Sequence, residues 1–531
     1  MRLTNNQILS ISITAAILLT ANLLFFQNGT IGIVGILAYF AGLTMIIKKT
    51  AKKEIESLPL IFGFSTLLSF LIIALSITYY VYAINSAVSI IILWLPVIIA
   101  GWRLLNITAR APLPFAIKKI FAKENLWPAI ILVAESALFF NVFVQRTSDL
   151  LKSPWQALDP EFFLLYTGAT VAIITVNYFG KYNWIKYALT SIHLFLTYGI
   201  AAIIYPLGYG IDGFIHRAAE NYILENGFIT PKQPFYIGQY GLVVWLKHLT
   251  ALPLFYLDVF LVPVLAAVTL PATIGATLEK TFGIAKKYGI SLAFFVPFIF
   301  FINLNLTTPH NLGILFLIIT LGAILTHISG YLPRSAPLGL AAATLAIHPL
   351  IGTPLLIFTI LAILAKKFQS NKTAFAAISA VGLLKIIFAA PLLFYVYFFI
   401  AGNHPTAFAN PFDKIRSFLE LFQRPYWYSE NSPLIFEWLY AWERALPPLA
   451  MIFGLFAFIA IRQKNKILWL FPLTALALGL SAFFLRVSII FPNLNNLEQS
   501  DYPLRLLKIS ALWILPLMMW GAHRIALFII G

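Results

Sequence analysis

The sequence predicts an all-α, polytopic transmembrane protein of roughly 14–16 helices, and three observations carry that expectation. Of the 531 residues 60% are hydrophobic and only 10% are charged, with a mean hydropathy of +0.88, far too apolar for a chain that folds in water. Apolar runs long enough to cross about 30 Å of hydrocarbon recur from the first line to the last. The basic residues, which leave a net charge of +17, fall in short clusters between those runs rather than in one stripe. That is the pattern of topology signals and not of a nucleic-acid surface, so no nucleic-acid partner is expected.

Taken in order, the first run, ILSISITAAILLTANLLFF, has only Arg2 before it among charged residues and lacks an A-x-A-like cleavage site, so a retained helix is expected. Clusters rich in Lys and Arg are expected on the cytoplasmic side: Lys48 to Lys53, Arg110 to Lys123, Lys181 with Lys186, Lys280 to Lys287, Arg334, Lys366 to Lys372 and Arg462 to Lys466. All are separated by an even number of spans if the run after Arg334 forms two short helices turning at His348 and Pro349, which places both termini inside. Residues 290–303 read as a half-length helical piece. Four segments, 145–161, 206–252, 402–446 and 486–508, are then extracytoplasmic, and the last three are expected to share one outward-facing cavity. The absence of cysteine excludes disulfides, thiol catalysis and cysteine metal sites. A boundary is expected near Lys186, dividing an N-terminal module of about six helices, residues 1–186, from a core, residues 187–531, that carries the large polar loops.

One stretch concentrates the chemistry: YPLGYGIDGFIHRAAENYILENGFITPKQP, residues 205–234. After a span from Tyr187 to Tyr205 the chain turns at Pro206, Gly208 and Gly210, and a helix follows, with Asp212 expected as its cap and Gly227 as its stop. Asp212, His216 and Glu220 fall at i, i+4 and i+8 on one face, while Ile211, Phe214, Ile215, Ala218, Tyr222 and Ile223 supply apolar surface for lying at the membrane interface. A plain reading of the same residues is a cap and a solvated face.

The longer segment GYGIDGFIHRAAENYILENGFITPKQPFYIGQYGLVVWL resembles the first outer loop of the GT-C superfamily of polyprenyl-linked glycosyltransferases, where a span leads to a key acid, an interfacial helix, a G-x-x-x-P element and an aromatic lead into the next helix. LAAATLAIHPLIG resembles the small-residue helix ending in His-Pro and Gly of several members, and SDYPLRLLKISALWILPL the late segment where an arginine precedes a final helix. The resemblance covers about residues 187–531; the helices before it lie outside, and the acid loop arrives later in the chain than is usual. It implies a GT-C-like core in a plasma-membrane enzyme that moves a hexose or pentose, with inversion, from a polyprenyl-phosphate donor to an extracytoplasmic glycan, lipid or protein acceptor. Asp212 would be the base or, with Glu220, a ligand of Mg2+ or Mn2+. Arg505, then Arg217 and Lys247, are the candidates for the donor phosphate, because a guanidinium offers a planar fork to phosphate oxygens; snorkelling at a helix end explains Arg505 and Lys508 equally well.

His216, Glu220, Tyr236, Gln239, His310, His348, Glu430 and Trp427 are the substrate-binding candidates. The last two lie in a loop that mixes aromatics with carboxylates as sugar sites do, although aromatics also collect at membrane interfaces. Glu135 and Lys385, ionisable groups within apolar runs, are functional candidates by default. The sequence has no Gly-rich nucleotide fingerprint, which disfavours a nucleotide-sugar donor, and no W-W-D-Y-G-like element, which argues against transfer to asparagine. Two alternatives stay open: an O-antigen polymerase or ligase-like enzyme, which Arg416 and Arg424 suit, and a transporter or lipid flippase, a class that usually shows inverted repeats and charges at the midplane.

Overall fold

The computed structural model of the chain describes residues 2–50, 59–105, 113–114, 126–151, 153–300, 304–400, 402, 415–422, 434–461, 465–491 and 498–530. Among them 13 helices are long and apolar enough to cross a membrane, so the protein is an all-α, multi-pass membrane protein. Hydrocarbon offers the backbone no hydrogen-bond partner, and helices meet that demand within each span. The only extended pairing among these residues joins Arg2–Leu3 to Leu113–Pro114. Hydroxyls inside the spans do the same by bonding back one turn, as Ser65 does to Ile61, Ser76 to Ile72 and Thr320 to Phe316.

The chain divides into two compact units, Met1–His348 and Pro349–Gly531. The first contains α1 (Asn5–Ala21), α2 (Gly29–Thr50), α3 (Leu60–Val81), α4 (Ser86–Leu105), α5 (Leu126–Val144), α6 (Pro160–Phe179), α7 (Asn183–Ile204), α8 (Ile211–Asn226), α9 (Ile237–Thr250), α10 (Leu254–Phe282), α11 (Lys286–Ser291), α12 (Phe295–Phe300), α13 (Pro309–Ile328) and α14 (Ser335–Ile347). Residues 290–303 thus begin as broken helical turns, α11 and α12 with a short 3-10 turn between them, rather than as a span. Lys186, the expected module boundary, lies inside this unit. Contacts across that boundary explain why: Asn22 donates to the Leu249 carbonyl at 2.9 Å, Trp245 Nε1 to the Ser89 carbonyl at 3.1 Å, and Tyr79 and Ile84 share a buried cluster with Ile223, Ile237, Tyr240 and Val244. The helices before Lys186 therefore form the bed on which α8 and α9 rest.

Small residues let these helices approach closely. A Cβ on Gly32 would stand 2.2 Å from the Thr250 carbonyl oxygen, and one on Gly238 would stand 2.8 Å from the Ala346 carbonyl carbon. α13 is the most enclosed span, 94% buried over its apolar window, whereas α5 and α6 are 22% buried and face outward.

The second unit contains α15 (Pro349–Lys367), α16 (Lys372–Ile400), α17 (Ile415–Leu419), α18 (Leu434–Ile461), α19 (Leu470–Ser488) and α20 (Asp501–Ile530). Phe358 packs against Phe471 at 5.1 Å and Trp513 at 6.0 Å between ring centroids. The expected pair of helices after Arg334 is present, with α14 ending at Ile347 and α15 starting at Pro349. Proline cannot donate to the preceding turn, which is why the break falls there.

Candidate functional site

The site is built on α8, which is too polar and too short to be a span. Gly208 and Gly210 take φ of +104° and +76°, and this left-handed backbone lets the chain reverse after α7 before α8 begins at Ile211. Asp212 is therefore not the cap: Gly210 occupies that position without a side-chain bond, and Asp212 sits exposed in the first turn, where the helix dipole favours its charge. Gly227 does end the helix, in the left-handed conformation at φ +81°.

The stripe that starts at the exposed Asp212 turns inward. Glu220 is fully buried, and Gln239 Nε2 of α9, also fully buried, donates to its Oε1 at 3.2 Å. One turn earlier Arg217 Nε donates to Asp258 Oδ2 of α10 at 3.0 Å, with the guanidinium 4.5 Å from the Phe255 ring centroid. Glu220 and Asp258 lie close enough for their charges to interact, and neither Glu220 Oε2 nor Asp258 Oδ1 has a hydrogen-bond donor among the described residues. One proton shared between the two carboxyls would satisfy both oxygens and, with one guanidinium, would leave the set electrically neutral. Burial pushes the Glu220 carboxyl well above the usual carboxylate range, and the Asp258 charge adds to this, against the opposing pull of Gln239 and Arg217.

Proline opens the floor of the site. Pro263 in α10 removes the N–H that would bond the Val259 carbonyl, and Thr307 Oγ1 donates to that carbonyl at 3.4 Å while accepting from Val262 N at 3.1 Å. A recess of about 10 Å3 lies there, bordered by Tyr209, Gly213, Arg217, Asp258, Asn305 and Thr307, with room for about one water.

Beside the carboxyls runs a row of rings. His216 Nδ1 and the Tyr240 hydroxyl are 2.8 Å apart, Tyr236 stands edge-on to His216 at 5.8 Å and stacks on His348 at 5.3 Å, and His348 meets His310 at 5.1 Å. Helices α8, α9, α13 and the end of α14 thus deliver imidazoles and phenols to one place. Comparison with protein-family models, curated proteins and solved structures finds no match. The chemistry rests on these side chains alone.

The structure brings together His216, Arg217, Glu220, Tyr236, Gln239, His310 and His348. It leaves Asp212 at the exposed start of α8, two turns from Glu220, or about 12 Å along the axis. That pair does not fit a divalent cation, because one carboxyl is exposed and the other is committed to Asp258 and Gln239; among the described residues no group of three or more His, Asp or Glu is placed to hold one. Lys247 reaches the Ala251 carbonyl at 3.5 Å, at the other end of α9. Arg505 belongs to the second unit, with its guanidinium 5.8 Å over the Tyr502 ring, near Asp501 and the ion pair of Lys508 with Glu443. Glu430 and Trp427 lie outside the described residues, as does Arg424.

Sequence reasoning missed Asp258. Its signal was available, a single carboxylate inside the apolar run ALPLFYLDVFLVPVL, which is the kind of intramembrane acid that a partner must hold. Glu135, singled out on that ground, pairs with His193 at 2.7 Å, and His193 Nε2 lies 2.8 Å from Thr170 Oγ1. Lys385 is exposed on α16.

Proposed function

We propose that the chain is a membrane glycosyltransferase that moves a sugar from a polyprenyl-phosphate donor to an acceptor hydroxyl on the extracytoplasmic side. The observation that carries the reading is the convergence of His216, Arg217, Glu220, Tyr236, Gln239, His310 and His348 around α8, a polar helix outside the spans. In this mechanism Asp212 takes the acceptor proton as the acceptor oxygen attacks the anomeric carbon. The bond from that carbon to the phosphate oxygen breaks with its electron pair leaving on the phosphate, and the configuration inverts. Arg217 offers its remaining N–H groups to the leaving phosphate, while Asp258 fixes the guanidinium and keeps it from adding net charge to a dry site. The ring row flanks the sugar, with imidazole and phenol groups for its hydroxyls and apolar ring faces for stacking.

One observation favours a second reading, a proton-coupled transporter or flippase: the fully buried Glu220 carboxyl, which burial drives toward its neutral form, lies beside Asp258 and the Arg217 guanidinium. Proteoliposomes given a radiolabelled polyprenyl-phosphate sugar and an acceptor extract separate the two. Label bonded covalently to acceptor supports transfer; label that crosses the bilayer still attached to its lipid, with proton movement, supports transport and defeats the enzyme reading.

A further inference from the structure

Far from α8 along the same unit, α5, α6 and α7 enclose a cavity of about 540 Å3, within the range of about 300–1,000 Å3 typical of small-molecule sites. Its walls are apolar: Ile131, Ala172, Val176, Phe179 and Ile185, with Trp127 at one side. Its rim is basic. Lys181 lines it at the α6–α7 turn, and Lys186 follows Ile185 on α7. Lys186 is only 4% exposed, and the charge that acts on it is another lysine, Lys287, which also lies 4.5 Å from the ring centroid of Tyr178 at the end of α6. Among the described residues neither Lys186 nor Lys287 has a carboxylate partner; the nearby Glu279 pairs with Lys286 at 3.5 Å. Two ammonium groups held together with one of them buried call for an anion. Trp127 and Trp184, exposed at 69% and 50%, stand in the first turns of α5 and α7, and amphipathic rings collect at such span ends.

We infer that this cavity binds an anionic phospholipid, its acyl chain between α5 and α6 and its phosphate at Lys181, Lys186 and Lys287. A soluble anion has no use for the apolar walls, and a zwitterionic lipid leaves the lysine pair uncompensated. The site is separate from the proposed sugar-transfer chemistry and stands or falls independently of it.

The test is native mass spectrometry of the full chain in detergent with added phosphatidylglycerol or phosphatidylcholine. A lysine near a lipid phosphate is worth about five-fold in affinity, so wild type should favour phosphatidylglycerol by at least about 25-fold. Lys186→Gln with Lys287→Gln should lower that preference by about 25-fold. Ala172→Phe, which fills the cavity and leaves every lysine in place, should lower binding of both lipids. Equal binding of the two lipids by wild type, a preference undiminished by the double lysine change, or full displacement of phosphatidylglycerol by millimolar inorganic phosphate would overturn the assignment. Circular dichroism of each variant confirms that the helices remain folded.

Discussion

The Arg217–Asp258 contact makes a quantitative test of the buried charge set. The two groups are 16% and 2% exposed and 3.0 Å apart. At an effective dielectric of about 20 their attraction is about 5 kcal/mol, offset by a desolvation cost of several kcal/mol for each ion. Asp258→Asn removes the counter-charge and leaves the guanidinium buried, for an expected loss of about 3–5 kcal/mol of stability. Arg217→Met with Asp258→Asn removes both charges, and the amide of the new side chain still serves Glu220. The double change should therefore be milder than the sum of the two single changes by about 2–3 kcal/mol. Equilibrium unfolding in mixed micelles of increasing dodecyl sulfate, followed by circular dichroism, supplies the three differences. Additivity within about 0.5 kcal/mol would refute the coupling and with it the buried pair.

Glu220 gives a pH dependence of defined sign. Its folded-state pKa is raised from the ordinary 4.5, so the neutral form is favoured in the fold. Its contribution is complete below 4.5 and is lost as pH rises through the raised value, so wild-type melting temperature should fall across that window and Glu220→Gln should flatten the fall. Gly208 has φ +104°, and a Cβ there would meet Arg217 Nη2 at 3.3 Å; Gly208→Ala should cost about 1–2 kcal/mol in the same unfolding assay. A Cβ on Gly32 strikes backbone at 2.2 Å and cannot be accommodated by a side-chain turn, so Gly32→Ala should lower the melting temperature while Gly168→Ala, which meets nothing within 4 Å, should not.

Much of the architecture was legible because span length and apolarity are written directly into the sequence. The break at His348–Pro349 followed from proline chemistry, and the stop at Gly227 from the left-handed backbone that glycine adopts without strain. Asp212 was misjudged as a cap because a short acid near a helix start fits two adjacent positions, and the choice depended on how Gly210 turns, which residue type alone does not fix. The plain alternative for α8, a solvated face, fails for a different reason. Periodicity shows that His216 and Glu220 share a stripe, yet whether the stripe meets water or Gln239 and Asp258 is settled by α9 and α10, about 20 and 40 residues further on. Asp258 itself was visible as an isolated acid, while its partnership with Arg217 was not, because nothing local links residues 41 apart.

The central claim is that the exposed carboxylate at the start of α8 serves sugar transfer. Purified protein in lipid vesicles, given a panel of polyprenyl-phosphate sugars and acceptor, should glycosylate with at least one donor, and Asp212→Asn should reduce that rate by about 10²–10⁴-fold while melting as the wild type does. Equal rates for the two proteins would contradict the role of Asp212, and absence of transfer by wild type from every donor would contradict the proposed reaction.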